Sequence, residues 1–524
     1  MPTPSSTSTP SIWIDSVQIP RHNALASNCR TDVLIVGAGI AGMTAAYLLC
    51  KEGRNVIVVD SNHVGGGETS HTTAHLTNEI DDRHYEIERI HGSDGMRIAA
   101  ESQTGAIDEV ERIVNELQID CDFKRVDGYL FAAEQEHESM LDKELEAATR
   151  AGIRGVAKLG SIPGVPFESG AALRFPMQAQ FHPLKYLAGL QEAILKSGGE
   201  IYEQTRITEF APKERRAKSS KPPLIIAKTE SGFEIQAHVA IVATNSPVND
   251  WVTMHTKQAP YRTYVIGLEI PTDSFEPMLI WDTATPYHYV RTQQVEGKTI
   301  LIVGGEDHKT AQEVAREYPE HFERLDAWAR ARFPFAAERL YQWSGQVLEP
   351  VDGLAFLGKN PGDETETYII TGDSGMGMTN CTAGAMIVRD LIMGRTNPWA
   401  ACYDPSRKSL RAMGEFIEEN VNALLQMADW VLGGDTPSAR LIERGTGAIV
   451  SHGLEKLAVY RDEKGALHEY SAKCPHLGCV VHWNPVESSW DCPCHGSRFG
   501  TTGEVINGPA LAGLQRIRET NPKK

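Results

Sequence analysis

Apolar and polar residues near the start of the chain follow a strand, turn, helix and strand pattern. Residues 32–36 (DVLIV) and 55–59 (NVIVV) are short runs rich in β-branched residues, and they predict two strands. Between them, apolar residues recur at helical spacing over residues 43–52. Two strands joined through a helix in this way predict the first unit of a mostly parallel sheet.

The pattern changes farther along the chain. Residues 264–268 and 299–303 are apolar runs of strand length, and they predict a second sheet rich in antiparallel strands. Apolar periodicity between residues 410 and 432 predicts a linking helix that ends at Gly433 and Gly434. We therefore expect an α/β fold with a mixed, antiparallel-rich second sheet, followed by a small all-β unit.

A glycine-rich turn joins the first predicted strand to its helix. In the run GAGIAG at residues 37–42, Gly37 permits a tight turn, Gly39 lets the backbone approach a pyrophosphate, and Gly42 lets helix and strand pack closely. Asp60 ends the second strand, where an acidic residue accepts hydrogen bonds from ribose hydroxyls. The full strand–turn–helix–strand context predicts a dinucleotide site, but it does not choose between FAD and NAD.

Two Cys/His pairs near the other end predict a metal centre. Cys474 and His476 form the first pair, and Cys492 and His495 form the second. Two thiolates can bind one iron of a [2Fe–2S] cluster and two neutral imidazoles the other, which makes the centre a one-electron carrier. A structural Cys₂His₂ zinc site is the alternative, but zinc requires neither the additional cysteines in these loops nor the Gly-Ser that follows the last histidine.

Both loops resemble the Rieske family. Residues 474–479 (CPHLGC) and 492–497 (CPCHGS) match the two halves of its signature. The resemblance implies four cluster ligands, which are Cys474, His476, Cys492 and His495. It also implies a disulfide between Cys479 and Cys494, a hydrogen bond from Ser497 to cluster sulfur, and a proline loop at residues 507–510. Phe499 stands where high-potential members have a tyrosine, so we expect a potential below the top of the family's range.

The glycine-rich half resembles the D-amino-acid oxidase-like flavoprotein superfamily, which includes sarcosine and γ-glutamylputrescine oxidases. Residues 65–77 (GGGETSHTTAHLT) resemble its second cofactor loop, and four later segments match in order, at residues 181–186, 240–244, 258–262 and 368–379. The resemblance implies FAD as the cofactor. The expected cofactor-binding residues are Gly37, Gly39, Ile40, Ala41, Gly42, Asp60, Thr69, Ser70, His71, Thr72, Thr73, Gly372, Asp373, Gly375, Met376, Gly377, Met378 and Thr379.

These resemblances predict the domain organisation. We expect an FAD-binding Rossmann-like domain, a mixed or antiparallel-sheet substrate domain, and a small all-β Rieske domain. The predicted boundaries are a polar N-terminal lead at 1–30, an FAD-dependent oxidoreductase at 31–404 with FAD-binding parts at about 31–110, 180–250 and 340–400, a linker helix at 405–435, the Rieske domain at 436–515 and a tail at 516–524.

Composition limits the classes of partner. Hydrophobic residues make up 41% of the chain without a run of about twenty, so we expect no membrane-spanning helix. A net charge of −18 disfavours nucleic acid and anionic lipid, and it favours a cationic substrate or a basic redox partner. The chain shows no secretory signal, and the cysteines outside the cluster loops have no metal spacing. We expect a cytoplasmic protein.

The two predicted cofactors together suggest a reaction. A flavin accepts two electrons as a hydride, whereas a Rieske cluster carries one at a time. No second dinucleotide fingerprint is present, which argues against NAD(P)H as donor. The flavoprotein resemblance implies oxidation of the C–N bond of an amine or amino acid, with electrons passing through the cluster to a one-electron acceptor or oxygen. Catalytic candidates are Tyr261, Arg262, His288 and Arg291, each of which is alternatively a structural polar residue.

Other functions remain open from the sequence. The chain could be a redox sensor without turnover, or an electron-transfer reductase for a partner oxygenase. A Rieske oxygenase would need iron held by two histidines and a carboxylate. His84, His91 and Asp81 offer these groups, but their spacing fits an exposed helix better.

Overall fold

A computed structural model describes residues 8–212, 223–248, 254–408, 411, 413–430, 433–452 and 455–520. The helices in this part of the chain are α1 (Ile12–Ser16), α2 (Ile40–Lys51), α3 (His84–Leu117), α4 (Glu138–Arg150), α5 (Pro183–Lys196), α6 (Tyr318–Arg332), α7 (Gly377–Ile392), α8 (Ala400–Tyr403) and α9 (Met413–Gln426). The strands up to the end of the second sheet are β1 (Cys29–Val36), β2 (Val56–Val59), β3 (His75–Leu76), β4 (Lys124–Phe131), β5 (Ala157–Leu159), β6 (Ala172–Gln180), β7 (Glu200–Tyr202), β8 (Ile207–Pro212), β9 (Ile225–Thr229), β10 (Glu234–Val242), β11 (Gln258–Ile270), β12 (Leu279–Asp282), β13 (His288–Val295), β14 (Lys298–Lys309), β15 (Arg339–Pro350), β16 (Phe356–Lys359) and β17 (Glu366–Thr371). The remaining strands are β18 (Thr446–His452), β19 (Glu455–Arg461), β20 (Leu467–Ser471), β21 (His482–Asn484), β22 (Ser489–Asp491), β23 (Arg498–Phe499), β24 (Val505–Asn507) and β25 (Arg516–Thr520).

The first sheet is built around β1. Its strand order is β16-β17-β10-β1-β2-β7, and the neighbours from β17 to β7 pair in parallel. All four residues of β2 are buried, as expected for a parallel strand covered on both faces. The carboxyl ends of β1, β2 and β10 therefore meet at one edge, which is where ligands bind in such sheets.

The second sheet is mixed and mostly antiparallel, as expected. Its order is β15-β11-β14-β13-β12-β4-β6-β3, and β5 adds to β6. The two predicted apolar runs lie within β11 and β14, which pair antiparallel. One face of these strands packs on α6 through a core that includes Tyr264, Leu301 and Phe322. β15 (Arg339–Pro350) belongs to this sheet, although the sequence analysis places residues from 340 with the FAD-binding part.

The C-terminal unit, residues 433–520, consists of two four-stranded antiparallel sheets. Their orders are β18-β19-β20-β25 and β21-β22-β23-β24. Trp483, Trp490 and Phe499 are buried in a core shared with the cysteine-containing loops. The second loop of the Cys/His pattern joins β22 to β23, and the first precedes β21. These short strands confirm the predicted all-β unit.

Two segments differ from the sequence expectation. The N-terminal lead is not only polar, because Ile12 and Trp13 of α1 are fully buried and the Trp13 indole donates to the Thr72 carbonyl at 2.6 Å. The linking helix, α9, covers Met413–Gln426 and is followed by a 3₁₀ turn at Met427–Trp430. Its predicted start at residue 410 and end at residue 432 lie outside the described residues. Every helix in the described part of the chain is too short or too polar to cross a lipid bilayer.

Candidate functional site

A cavity of about 910 Å³ opens at the carboxyl edge of the first sheet. The glycine turn and Asp60 line one half of it. Side chains from the second sheet, including Trp281 and Tyr289, line the other half. The C-terminal unit also contributes to the wall, through residues 502–508. The cavity therefore lies where both sheets and the C-terminal unit meet.

The glycine turn has the geometry of a dinucleotide cradle. A Cβ atom on Gly37 would lie 2.2 Å from the Ala243 carbonyl oxygen, and one on Gly42 would lie 1.9 Å from the Gly37 carbonyl oxygen. Gly39 precedes α2 and offers no side-chain cap, so the helix N-terminus faces the cavity without a competing anion. These three positions fit a dinucleotide pyrophosphate, and positions 37 and 42 admit only glycine.

Asp60 and Arg206 mark the end of the cavity beside β2 and β7. The Asp60 carboxylate accepts hydrogen bonds from the Ala38 and Asn62 amides, each at 2.7 Å. Burial raises the pKa of Asp60 above its ordinary value. Burial likewise lowers the pKa of Arg206, whose guanidinium donates to the Val505 carbonyl at 2.8 Å. An acid at the end of β2 fits the ribose of a dinucleotide.

The opposite half of the cavity combines aromatic and acidic side chains. Trp281, Tyr287 and Tyr289 line it together with Asp81 and Asp307. The Tyr287 hydroxyl donates to Asp81 at 2.8 Å. Burial raises the pKa of Asp307 to about 7, and one of its carboxylate oxygens is buried without a hydrogen-bond partner. This end can bind a cation through carboxylates and aromatic faces.

The four predicted cluster ligands come together in the C-terminal unit. The Cys474 and Cys492 thiols are within hydrogen-bond reach of each other, and the His476 and His495 rings are 5.0 Å apart between centroids. The His495 Nδ1 atom is buried without a hydrogen-bond partner. Burial, with the nearby His476 and His255, lowers the pKa of His495 to about 3, so the ring is neutral and able to ligate iron. Two thiols and two imidazoles in this arrangement fit a Rieske cluster.

The two loops are also tied to each other. The predicted disulfide between Cys479 and Cys494 is present. The Ser497 hydroxyl is fully buried, accepts from the Ala510 amide at 3.0 Å and donates to the Cys474 sulfur. These contacts hold the two loops in the conformation that brings the four predicted ligands together.

The two predicted ligand histidines face the amino-terminal unit. The His255 ring lies 4.9 Å from the His476 ring and 6.0 Å from the His495 ring. His255 and His476 are both buried. Beside them, the Gln346 side-chain amide donates to the Gly496 carbonyl at 3.1 Å. The histidine edge of the cluster site is therefore covered by the chain's own amino-terminal unit.

Charged groups hold the two units together. Arg262 of β11 is fully buried and donates to Ser344 and to Glu487, and Glu487 also accepts from Arg498. Because Glu487 pairs with both guanidinium groups, burying these charges costs less free energy than burying isolated ions would. Asn507 adds a hydrogen bond of 2.7 Å to Glu68, next to the predicted second cofactor loop.

Comparison with known proteins agrees with both halves of the site. Residues 32–391 match the family described as FAD dependent oxidoreductase, and residues 437–518 match the Rieske [2Fe-2S] domain. The chain belongs to the FAD-dependent oxidoreductase family. It carries a C-terminal Rieske domain, and its cofactors are FAD and a Rieske [2Fe–2S] cluster. We call the amino-terminal unit, residues 8–408, the flavin domain and the C-terminal unit the Rieske domain.

Proteins similar to this chain match different parts of it. A Bacillus subtilis (strain 168) protein, YhfW, described as a Rieske 2Fe-2S iron–sulfur protein, is 34% identical over 508 residues, which are 96% of this chain and 97% of YhfW. The γ-glutamylputrescine oxidoreductase of Escherichia coli (strain K12) is 23% identical over 71% of this chain and 86% of its own length. Glycine oxidase from Geobacillus kaustophilus has the same fold as the flavin domain, with a TM-score of 0.59 at 18% identity over 72% of this chain and 99% of that one.

Most of the predicted cofactor residues line the cavity of the flavin domain. The exceptions are Gly42, Ser70 and Thr379. Gly42 packs against Gly37 under the turn, while the Ser70 and Thr379 hydroxyls donate to backbone carbonyls. Direct contact of the lining residues with FAD stays a prediction.

The structure places none of the four catalytic candidates among the described lining residues. Tyr261 lies on β11, and Arg262 contacts the Rieske domain. His288 bonds to Asp282 at 2.9 Å on the far face of β13. The Arg291 guanidinium donates to the Thr73, Ala74 and Phe181 carbonyls and so supports the cofactor loop. Arg262, His288 and Arg291 therefore have structural partners, and a catalytic role for any of the four candidates stays a prediction.

The residues considered for a mononuclear iron site are also apart. His84 is fully buried, not exposed, and bonds to Glu144 at 2.6 Å. His91 bonds to the Asp352 carbonyl at 2.7 Å, and Asp81 lines the flavin cavity. Because the three residues have different surroundings, the structure argues against a mononuclear iron site formed by them.

Sequence reasoning missed Tyr289, Asp307, Gln346 and His255. The alternation of side chains along a strand could have identified Tyr289, because Tyr289 follows His288 and so lies on the opposite face of β13. Gln346 and His255 had no local signal, since they matter through contacts with residues 150 or more positions away.

Replacing Ser497 with alanine should lower the reduction potential of the cluster. The hydroxyl donates to the Cys474 sulfur, and a hydrogen bond stabilises the reduced state because that state carries more negative charge. We expect a fall of about 60 mV, which corresponds to about 1.4 kcal/mol for one electron. Protein-film voltammetry measures it, with Ser274→Ala as the control, because Ser274 lies in the flavin domain and donates to the Pro271 carbonyl. An unchanged potential would mean that Ser497 does not bond to the cluster.

Proposed function

We propose that this FAD-dependent oxidoreductase oxidises the C–N bond of an amine and passes the electrons through its Rieske cluster to a one-electron acceptor. The observation that carries the proposal is the contact of His255 with both ligand histidines. When bound, FAD accepts a hydride and the cluster carries single electrons. Electrons from the flavin would enter the cluster at its histidine edge, and that edge faces the flavin domain.

Gln346 supports the same route. It lines the flavin cavity, and its side-chain amide bonds to the Gly496 carbonyl, next to the ligand His495. Its backbone amide bonds to Glu68 at 2.7 Å, beside the cofactor loop. One residue therefore joins the wall of the cavity to the cluster loop.

The aromatic and acidic end of the cavity supports an amine substrate. Arginine and lysine bind a substrate carboxylate most strongly, arginine through bidentate pairs. Among the described lining residues, the only such group is Arg206, which lies at the Asp60 end and bonds to Val505. Asp81 and Asp307, with Trp281 and Tyr289, would instead attract an ammonium group. The net charge of −18 also attracts a cationic substrate.

The proposed reaction needs little acid–base chemistry from the protein. The substrate carbon loses a hydride, the nitrogen loses a proton, and a C=N bond forms that water then hydrolyses. Asp81 and Asp307 would orient the amine and receive its proton, because burial raises the pKa values of both carboxyls. Two molecules of a one-electron acceptor take up the two electrons.

Binding of a cation should depend on the charge of Asp307. Burial raises its pKa to about 7, so the group is neutral below pH 7 and the carboxylate forms as the pH rises through 7. Tetramethylammonium, which does not titrate, should bind more tightly at pH 8 than at pH 6. In Asp307→Asn we expect binding about tenfold weaker at pH 8 and a smaller pH dependence, the remainder coming from Glu79 in the same cavity, whose pKa burial raises to about 8. The shift of the flavin spectrum on titration measures both.

Asp273→Asn is the matched control for this experiment, because Asp273 is exposed, lies outside the cavity and has a φ of 63° that asparagine tolerates. It should bind tetramethylammonium as the parent does. Equal binding by the parent and Asp307→Asn at every pH would remove the carboxylate from substrate recognition and weaken the proposed amine specificity.

A further inference from the structure

We infer that a segment of the Rieske domain, residues 502–508, forms part of the FAD site and that retention of FAD depends on it. We call these residues the covering segment. All seven line the cavity of the flavin domain. The sequence analysis instead predicts an FAD site built from residues 31–404 alone. The inference concerns cofactor binding, so it is independent of the substrate and of the direction of electron flow.

The middle of the covering segment is attached beside β7. The Arg206 guanidinium donates to the Val505 carbonyl at 2.8 Å. Arg206 lies four residues after the end of β7, next to the position that Asp60 marks for the ribose. This contact brings the covering segment to the end of the cavity where the adenosine half of a dinucleotide belongs.

A second attachment, two residues farther along the covering segment, lies beside the second cofactor loop. The Asn507 side-chain amide donates to Glu68 Oε1 at 2.7 Å, while Glu68 Oε2 accepts from the Gln346 amide. Burial acts to raise the pKa of Glu68, but the neighbouring His71 ring and the positive charges of Arg262 and Arg498 hold it below its ordinary value. Glu68 is therefore ionised and accepts a strong hydrogen bond.

Through these two attachments, the covering segment lies over the half of the cavity that contains the glycine turn and Asp60. It packs closely there, because a Cβ atom on Gly508 would lie 3.2 Å from Val248 Cγ1. Helix α2 faces the same half with its N-terminus. The pyrophosphate and ribose sites are thus enclosed by the flavin domain on one side and by the Rieske domain on the other.

Ile506 is the observation that points to a ligand. It is 44% exposed although it lines the cavity. An apolar side chain in such a wall loses its exposure to water when a flat, partly apolar ligand fills the cavity. FAD bound by the glycine turn would supply such a surface.

The test replaces Ile506 with glutamate in the full chain. A carboxylate in the covering segment adds negative charge and hydration to the wall beside the pyrophosphate site. FAD titrated into apoprotein, followed by quenching of flavin fluorescence, should give a dissociation constant at least about tenfold higher than in the parent. Iron content and the reduced Rieske EPR signal should be unchanged. Ile517→Glu is the matched control, because Ile517 is in the same domain, 42% exposed and outside the cavity lining.

The comparison overturns the inference if Ile506→Glu and Ile517→Glu bind FAD equally well. If Ile506→Glu loses the cluster as well as FAD, Asn507→Ala decides the question, because it removes only the hydrogen bond to Glu68. We expect FAD to dissociate about threefold faster from Asn507→Ala with the EPR signal intact. Release at the parental rate from this variant would overturn the inference.

Discussion

Replacing Cys492 with serine should abolish electron delivery to a one-electron acceptor without preventing reduction of the flavin by substrate. Cys492 is buried and lies beside Cys474, so its loss removes one of the two thiolates on which the cluster depends. We expect the rate of acceptor reduction per bound FAD to fall at least about 100-fold, which is about 2.7 kcal/mol in the activation barrier. Stopped-flow measurement with ferricenium as acceptor gives this rate.

Expressing the rates per bound FAD is essential for Cys492→Ser. A disturbed Rieske domain would also disturb the covering segment and release FAD, and that loss must not count as slow electron transfer. Cys29→Ser is the control, since Cys29 is a free cysteine at the start of β1, far along the chain from the cluster loops. Unchanged acceptor reduction by Cys492→Ser would remove the cluster from the electron path and leave it a structural or regulatory role.

Replacing Gly42 with alanine should yield protein without FAD. The new Cβ atom would lie 1.9 Å from the Gly37 carbonyl oxygen, and backbone cannot move aside as a flexible side chain can. Either the turn opens and the pyrophosphate site is lost, or the helix shifts away from β1. We expect FAD affinity to fall at least about 100-fold and the free energy of unfolding to fall by about 1–3 kcal/mol. Flavin content after gel filtration and chemical denaturation measure the two effects.

Gly160→Ala is the matched control for the glycine turn. No atom lies within 4 Å of a Cβ atom added to Gly160, and its backbone is not in the left-handed region. This variant should keep FAD and should be as stable as the parent. If Gly42→Ala also kept stoichiometric FAD, the glycine turn would not be the pyrophosphate site.

Local chemistry explains which parts of the site could be predicted from the sequence. The glycine turn and the two Cys/His loops are short segments in which neighbouring residues supply the whole geometry. The predicted parallel strands also formed as expected, although α2 begins at Ile40, inside the glycine run, and not at residue 43. A strand, a tight turn and a helix in direct succession leave the backbone few alternatives.

Contacts between distant parts of the chain explain what could not be predicted. His255 meets His476, and Glu68 meets Asn507, across separations of hundreds of residues. No periodicity or spacing encodes such a pair. The catalytic candidates stay predictions for a different reason: His288 and Arg291 are conspicuous polar residues in the sequence, but both are buried with structural partners. Asp307, in contrast, follows Glu306 in a polar stretch without any feature that distinguishes it.

Anaerobic reduction of the full chain tests the central claim most directly. The protein is mixed with each member of a panel of alkylamines, diamines and amino acids, and flavin absorbance and the Rieske EPR signal are followed in samples frozen at successive times. The account predicts that an amine bleaches the flavin first and that the Rieske signal then appears in the same molecules without any added acceptor. A flavin that is fully bleached beside a cluster that stays oxidised, or a panel in which no amine bleaches the flavin, would contradict it.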